Sequence, residues 1–189
     1  MNYLILNGTI VGNKTRNLLE IYQNNIKEKL SETDSISFID LKDKKMVFSD
    51  GRNWQDYSGD TLSVLTEVMN ADVIVFGIPT FQASFPAPLK NIFDLLPEAA
   101  FLNKTIGFIV TAGSQKHYLV MENQLKPILT FMKANIMHHY VFAYDFDFKG
   151  SELESDDIEM RLESYAKETI EAATSYDYFL KQQEEQYDF

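Results

Sequence analysis

The stretch Asp72-Val73-Ile74-Val75-Phe76-Gly77-Ile78-Pro79-Thr80-Phe81-Gln82-Ala83-Ser84-Phe85-Pro86-Ala87-Pro88-Leu89-Lys90-Asn91-Ile92-Phe93-Asp94 decides the fold. Its opening residues are nearly all apolar and rich in β-branched types, the pattern of a strand buried on both faces, as in a parallel sheet. Pro79 stops that strand. Pro86 and Pro88 suit the first turn of a helix, where a missing N–H costs nothing, and Leu89, Ile92, Phe93 and Leu96 follow at helical spacing. The stretch therefore reads strand, polar loop, helix. In open α/β sheets ligands sit beyond the carboxyl ends of the strands, so Pro79, Thr80, Phe81, Gln82 and Ser84 are candidate site residues.

The same order recurs on both sides of this stretch. Tyr3 to Leu6 is a short apolar strand, a polar loop runs from Asn7 to Asn17, and Leu18, Leu19, Ile21, Tyr22, Ile26 and Leu30 mark an amphipathic helix. Gly8, Thr9, Lys14, Thr15 and Asn17 supply flexible backbone, hydroxyls and a cation at a helix start, which is what a phosphate dianion needs. Thr15 read alone is equally a helix N-cap, and the glycines equally shape a turn. The loop is neither a Walker loop nor the Rossmann glycine pattern. Further on, Thr105 to Thr111 is another buried strand, and Thr111, Ala112, Gly113 and Ser114 open its polar loop.

The remaining segments complete the alternation. Ser35 to Leu41 reads as a strand and Leu62 to Met69 as a helix. Residues 42–60 between them form a long loop whose Arg52, Trp54 and Tyr57 either reach a nucleotide or a neighbouring subunit or pack the loop down, the last being the usual behaviour of a large aromatic. Tyr118 to Lys133 reads as a helix kinked at Pro127. Asn135 to Tyr144 reads as one last strand that places His138 and His139 on opposite faces, and three histidines without clustered carboxylates have no metal-site spacing. An amphipathic helix from Ile158 closes the chain. Five strands alternating with helices predict an α/β fold: one five-stranded parallel sheet in flavodoxin-like order 2-1-3-4-5, helices on both faces, with the three polar loops around one switch point.

Composition narrows the chemistry. The chain of 189 residues carries a net charge of −11, and residues 151–189 hold 12 acidic against 3 basic side chains, so the body is nearly neutral. That balance argues against nucleic acid or an anionic membrane as partner, because affinity there depends on clustered cations. Without cysteine there is no thiolate nucleophile, Cys-ligated zinc or iron–sulfur cluster, and redox chemistry needs a borrowed cofactor. The N-terminus lacks the pattern of a signal peptide and no apolar run reaches membrane-span length, so a cytoplasmic protein is expected.

Three motifs then carry a resemblance. Pro-x-Phe-x-x-Ser-x-Pro followed by Leu-Lys-Asn, from Pro79 to Asn91, resembles the hallmark of the NADPH-dependent FMN reductases, flavodoxin-like flavoproteins. Gly8-Thr9 with Thr15-Arg16-Asn17-Leu18-Leu19 resembles their phosphate loop, Thr9 replacing the usual Ser and Lys14 standing in for an absent Arg. His117-Tyr118-Leu119 and Leu125-Lys126-Pro127-Ile128-Leu129 closely resemble the matching helix of the sulfonate-linked FMN reductases.

The resemblance spans roughly residues 3–145. Chain length makes residues 1–180 one domain, flavodoxin-like and FMN-binding by the resemblance, and residues 181–189 are expected to be a frayed acidic tail. The resemblance implies FMN and NADPH as cofactors, hydride transfer from NADPH to flavin N5, and no catalytic side chain, since the flavin does the chemistry. Backbone N–H groups of residues 80–84 and 111–115 are the expected donors to the flavin ring, with Phe81 or Tyr118 as an apolar wall. His117 is read as a capping or packing residue. The resemblance further implies a homodimer or homotetramer, with Phe85, Phe93, Tyr118, Met121 and Met132 as interface candidates that periodicity cannot separate from core. The acceptor is flavin handed to a flavin-dependent monooxygenase, or a quinone or azo compound reduced at the same site. A flavodoxin-type electron carrier that oxidises no nicotinamide is the competing reading.

Overall fold

The central strands are buried at nearly every position, so their alternating side chains feed two apolar layers on opposite faces of one sheet. The structure is a computed structural model describing residues 1–187; residues 188 and 189 lie outside it. Strand β1 (Asn2–Asn7) lies between β2 (Ser35–Asp40) and β3 (Val73–Pro79), and β3 pairs with β4 (Thr105–Ala112). The fifth position is shared by β5 (Asn135–Ile136) and β6 (Val141–Tyr144), both parallel to β4. The order is thus β2-β1-β3-β4-β5, as the alternation predicts.

Leu4 and Leu6 of β1, Ile74, Phe76 and Ile78 of β3, and Ile106 and Phe108 of β4 face helices α2 (Gly59–Asn70), α3 (Ala87–Leu95) and α4 (Lys126–Phe131). Tyr3, Ile5, Val73, Val75 and Ile109 face the other layer, made by α1 (Lys14–Lys27) and α5 (Asp156–Tyr187). Gly77 belongs to this second face. A Cβ there would stand 2.3 Å from Leu19 Cδ1, so the absence of a side chain lets α1 lie close to β3.

Three expectations need correction. The last strand is broken between β5 and β6, and the His138 and His139 rings touch at 4.5 Å between centroids instead of facing apart. The break has a cause. The Tyr165 hydroxyl accepts the Phe108 N–H at 3.0 Å and donates to the His139 carbonyl at 3.4 Å, bridging two backbones that would otherwise pair. The helix expected over 118–133 begins as a 3-10 turn and a π-helical turn, Met121–Leu125, in which the Lys126 N–H reaches the Met121 carbonyl. Pro127 then opens α4, where its missing N–H is harmless.

Of the segment 181–189 expected to fray, residues 181–187 form the last part of α5, and residues 188 and 189 lie outside the described residues. Lys181 pairs with Asp177 one turn earlier at 2.7 Å, and Gln182 bonds Glu185 at 3.2 Å. Between β6 and α5 a hairpin, β7 (Phe148–Lys149) with β8 (Glu152–Leu153), turns the chain back over the sheet's carboxyl edge.

Candidate functional site

The loops after β1, β3 and β4 converge because the sheet is parallel and all three strands end at one edge. Direct bonds between the loops fix their spacing. The Gly8 N–H donates to the Gly77 carbonyl at 2.8 Å and the Thr80 N–H to the Thr111 carbonyl at 2.7 Å. The buried hydroxyls of Thr15 and Thr111 meet at 2.6 Å. Between the loops lies a cavity of ≈ 300 Å³.

Eight of the residues singled out by sequence line this cavity: Lys14, Thr15, Pro79, Thr80, Phe81, Thr111, Ala112 and Gly113. The others hold the loops in shape. Gly8 packs where a Cβ would come within 3.2 Å of the Gly77 carbonyl and of Leu89. Thr9 is buried and its hydroxyl bonds the backbone of Val11 at 3.2 Å. The Asn17 amide donates to the Ser151 carbonyl at 2.8 Å. Ser114 accepts the Lys116 N–H at 3.3 Å and caps the next turn.

Gln82 and Ala83 form the tip of a tight turn, with φ of 48° and 58°, the left-handed region that side chains rarely adopt. Phe81 and Ser84 exchange two backbone bonds of 2.9 Å across it. Gln124, from the π-helical turn, clamps it from outside by bonding the Ser84 hydroxyl and donating to the Ala83 carbonyl at 2.8 Å. This changes the expected donor set. The N–H groups of Thr80, Phe81 and Ser84 are engaged within the protein, which leaves Gln82 and Ala83 as the donors this loop offers. Tyr118 stacks on Tyr140 with centroids 5.4 Å apart and lies outside the lining, whereas Phe81 lines the cavity.

The two cations of the first loop have different roles. Arg16 is bound to Glu20 at 2.9 Å and to the buried Asp40 at 3.2 Å, with Asp43 nearby. The Glu20 bond, more than the charges of Asp40 and Asp43, raises the Arg16 guanidinium above its usual pKa, burial opposing it. Lys14 lines the cavity and pairs with Asp145 at 2.9 Å. It opens α1, which has no side-chain cap from Asn13 and no acidic residue in its first turn. The first-turn N–H groups, which have no intrahelical partners, and the Lys14 ammonium suit an anion. In the loop after β3, Thr80 Oγ1 is buried without a partner. A ligand that carries a phosphate and a hydrogen-bonding ring fits this donor set.

Sequence reasoning missed Val11, Gly12, Asn13, Asp145, Gly150 and Ser151. The last three come from the segment after β6, of which the sequence was given no reading. His117 lies in the 3-10 turn Gln115–His117, outside the lining. Arg52 pairs with Asp50 and lies 4.9 Å from the Tyr57 ring centroid, while Trp54 packs on the core, so the long loop is tied down. Of the interface candidates, Phe93, Met121 and Met132 are core; Tyr118, Leu119 and Phe131 are the exposed apolar residues of that region.

Comparison with known proteins adds the following. Residues 1–149 match the family described as NADPH-dependent FMN reductase. The chain is 39% identical over 171 residues to the NAD(P)H-dependent FAD/FMN reductase of Geobacillus thermodenitrificans, covering 90% of this chain and 92% of that one. It is 34% identical over 90 residues to the FMN reductase (NADPH) of Escherichia coli, 47% of each chain. Among solved structures, an oxidoreductase from Corynebacterium diphtheriae superposes with a TM-score of 0.74 at 22% identity, over 93% of this chain and 98% of that one. Oxidised flavodoxin 1 from Bacillus cereus gives 0.64 at 13%, over 90% and 98%. At these identities the likeness to the solved structures concerns the fold alone.

Proposed function

The chain belongs to the NADPH-dependent FMN reductase family, and from that premise we propose that the cavity between the loops after β1, β3 and β4 is its FMN site. The protein is a flavin reductase using FMN and NADPH. What carries the placement is the polarity of the cavity. The lining brings Lys14 and the uncapped first turn of α1, which suit an anion, together with polar groups of the loops after β3 and β4, the unpartnered Thr80 hydroxyl among them.

In this reading Lys14 and the N–H groups at the start of α1 hold the phosphate. Thr80, the Gln82 and Ala83 N–H groups and the Gly113 backbone face the ring, and Phe81 covers an edge of it. FMN, when bound, supplies the acceptor for the hydride of NADPH. The protein's part is to orient two rings and exclude water, and that needs no side-chain acid or base. The absence of any titratable side chain but Lys14 and Asp145 from the lining fits this division of labour.

The acceptor is a small molecule, either free flavin passed to a flavin-dependent monooxygenase or a quinone or azo compound. The exposed Tyr118, Leu119 and Phe131 support a homodimer or homotetramer through the α4 side. Among the described residues no helix is long and apolar enough to cross a membrane; a cytoplasmic location belongs to the same reading. The test is NADPH consumption by the purified protein, with dissolved oxygen as final acceptor and FMN added stepwise. Turnover that rises and saturates with FMN supports the site. Tight FMN binding without NADPH consumption, even with a quinone or azo dye, replaces it with an electron carrier.

A further inference from the structure

We infer that Asp145 competes with the phosphate of FMN for Lys14 and thereby keeps flavin exchangeable. The inference rests on the FMN site proposed above. Lys14 is the cation that lines the cavity among the described residues, and its ammonium already has an anion, Asp145 Oδ1 at 2.9 Å, from a residue 131 positions later. No neighbouring cation relieves it. Arg16 is held by Glu20 and Asp40, and Lys42 donates to Asn13 Oδ1 at 3.3 Å.

The carboxylate also stands over the loop after β4: its Oδ2 lies 3.8 Å from where a Cβ on Gly113 would be. A phosphate entering between α1 and this loop meets a like charge at close range. It gains Lys14 only as Asp145 leaves. The Asp145 side chain is 63% exposed and Lys14 31%, and an ion pair this wet adds little stability, so it separates readily. The backbone beside it stays in place because Asp147 accepts the Tyr144 N–H at 2.8 Å and the Tyr144 hydroxyl accepts a bond from Gln115 at 2.7 Å. Asp145 can therefore swing aside without moving β6. Exchange of one anion for another at a single cation predicts weak binding and fast release of FMN, which suits a flavin that leaves as product.

The test measures dissociation constants for FMN, and for riboflavin as the probe without phosphate, by flavin fluorescence. The proteins are the native chain, Asp145→Asn, Asp145→Ser, Lys14→Gln and the Lys14→Gln/Asp145→Asn pair. Removing the carboxylate should tighten FMN by about tenfold, the scale of one screened charge near a dianion. Riboflavin affinity should stay unchanged. Without Lys14 the gain should shrink. An unchanged or weaker FMN affinity in both Asp145 variants overturns the inference, and so does an equal gain for riboflavin, which would mean a reshaped cavity. Failure of every protein to bind either flavin removes the site itself, a result distinct from binding that ignores Asp145.

Discussion

The hydroxyls of Thr15 and Thr111 share one hydrogen bond of 2.6 Å in a buried setting, and this bond joins the start of α1 to the end of β4 beside the cavity that both residues line. Replacing either by Val leaves the other hydroxyl buried without a partner, which costs about 1–3 kcal/mol. The double replacement should cost less than the two single ones together, because no orphan remains. Urea unfolding of the three variants checks this, and strictly additive losses would show that the hydroxyls do not depend on each other.

Gln82 and Ala83 occupy left-handed backbone that their side chains disfavour. Asn-Gly is the pair best suited to a two-residue turn with both φ positive. Gln82→Asn with Ala83→Gly should therefore stabilise the protein by about 1 kcal/mol, read from the urea midpoint. Gln124→Ala, which removes the clamp on this turn, should weaken FMN binding more than it lowers the melting temperature. Equal fluorescence titrations before and after that change would exclude a positioning role for Gln124.

Leu19 lies where a side chain on Gly77 would go. Gly77→Ala should cost about 1–3 kcal/mol by overpacking α1 against β3. Adding Leu19→Ala should return part of the loss, although Leu19→Ala alone leaves a cavity and destabilises. Thermal unfolding of the three proteins decides the matter. A Gly77→Ala protein as stable as the native chain would mean that α1 moves aside freely.

Tyr165 should make the protein sensitive to alkali. Burial pushes its hydroxyl well above the usual tyrosine value, and the bond from the Phe108 N–H only partly offsets that. The folded state thus keeps a proton that the unfolded chain releases near about pH 10. The stabilisation is complete below that pH and is lost as pH rises toward the folded-state value. Tyr165→Phe should lower stability at neutral pH by about 1–3 kcal/mol, since the Phe108 N–H loses its acceptor. It should also flatten the alkaline decline. Parallel slopes above pH 10 for both proteins would assign that decline to other groups.

Much of the architecture was legible because it depends on local pattern. The run from Val73 to Ile78 is apolar on both faces, and proline at 79, 86 and 88 marks where a strand ends and a helix starts. The order of the sheet follows from the alternation of strands and helices and from right-handed crossovers. The broken fifth strand was not legible. Asn135 to Tyr144 alternates as a strand should, and the hydroxyl that interrupts its pairing belongs to Tyr165, on a helix that comes later.

By itself the sequence determined the family, the fold class and the three loops that meet at the cavity, because strand periodicity, helix starts and loop composition are properties of neighbouring residues. Only the tertiary structure decided which polar residues of those loops face the cavity. Thr9 and Asn17 carry the same functional groups as Thr15 and Asn13, yet they turn inward to Val11 and Ser151. It also decided that Lys14 and Asp145 share the mouth of the site. Hydrogen-bond and ion-pair partners are chosen by distance in space, and two residues 131 positions apart carry no local sign that they will meet.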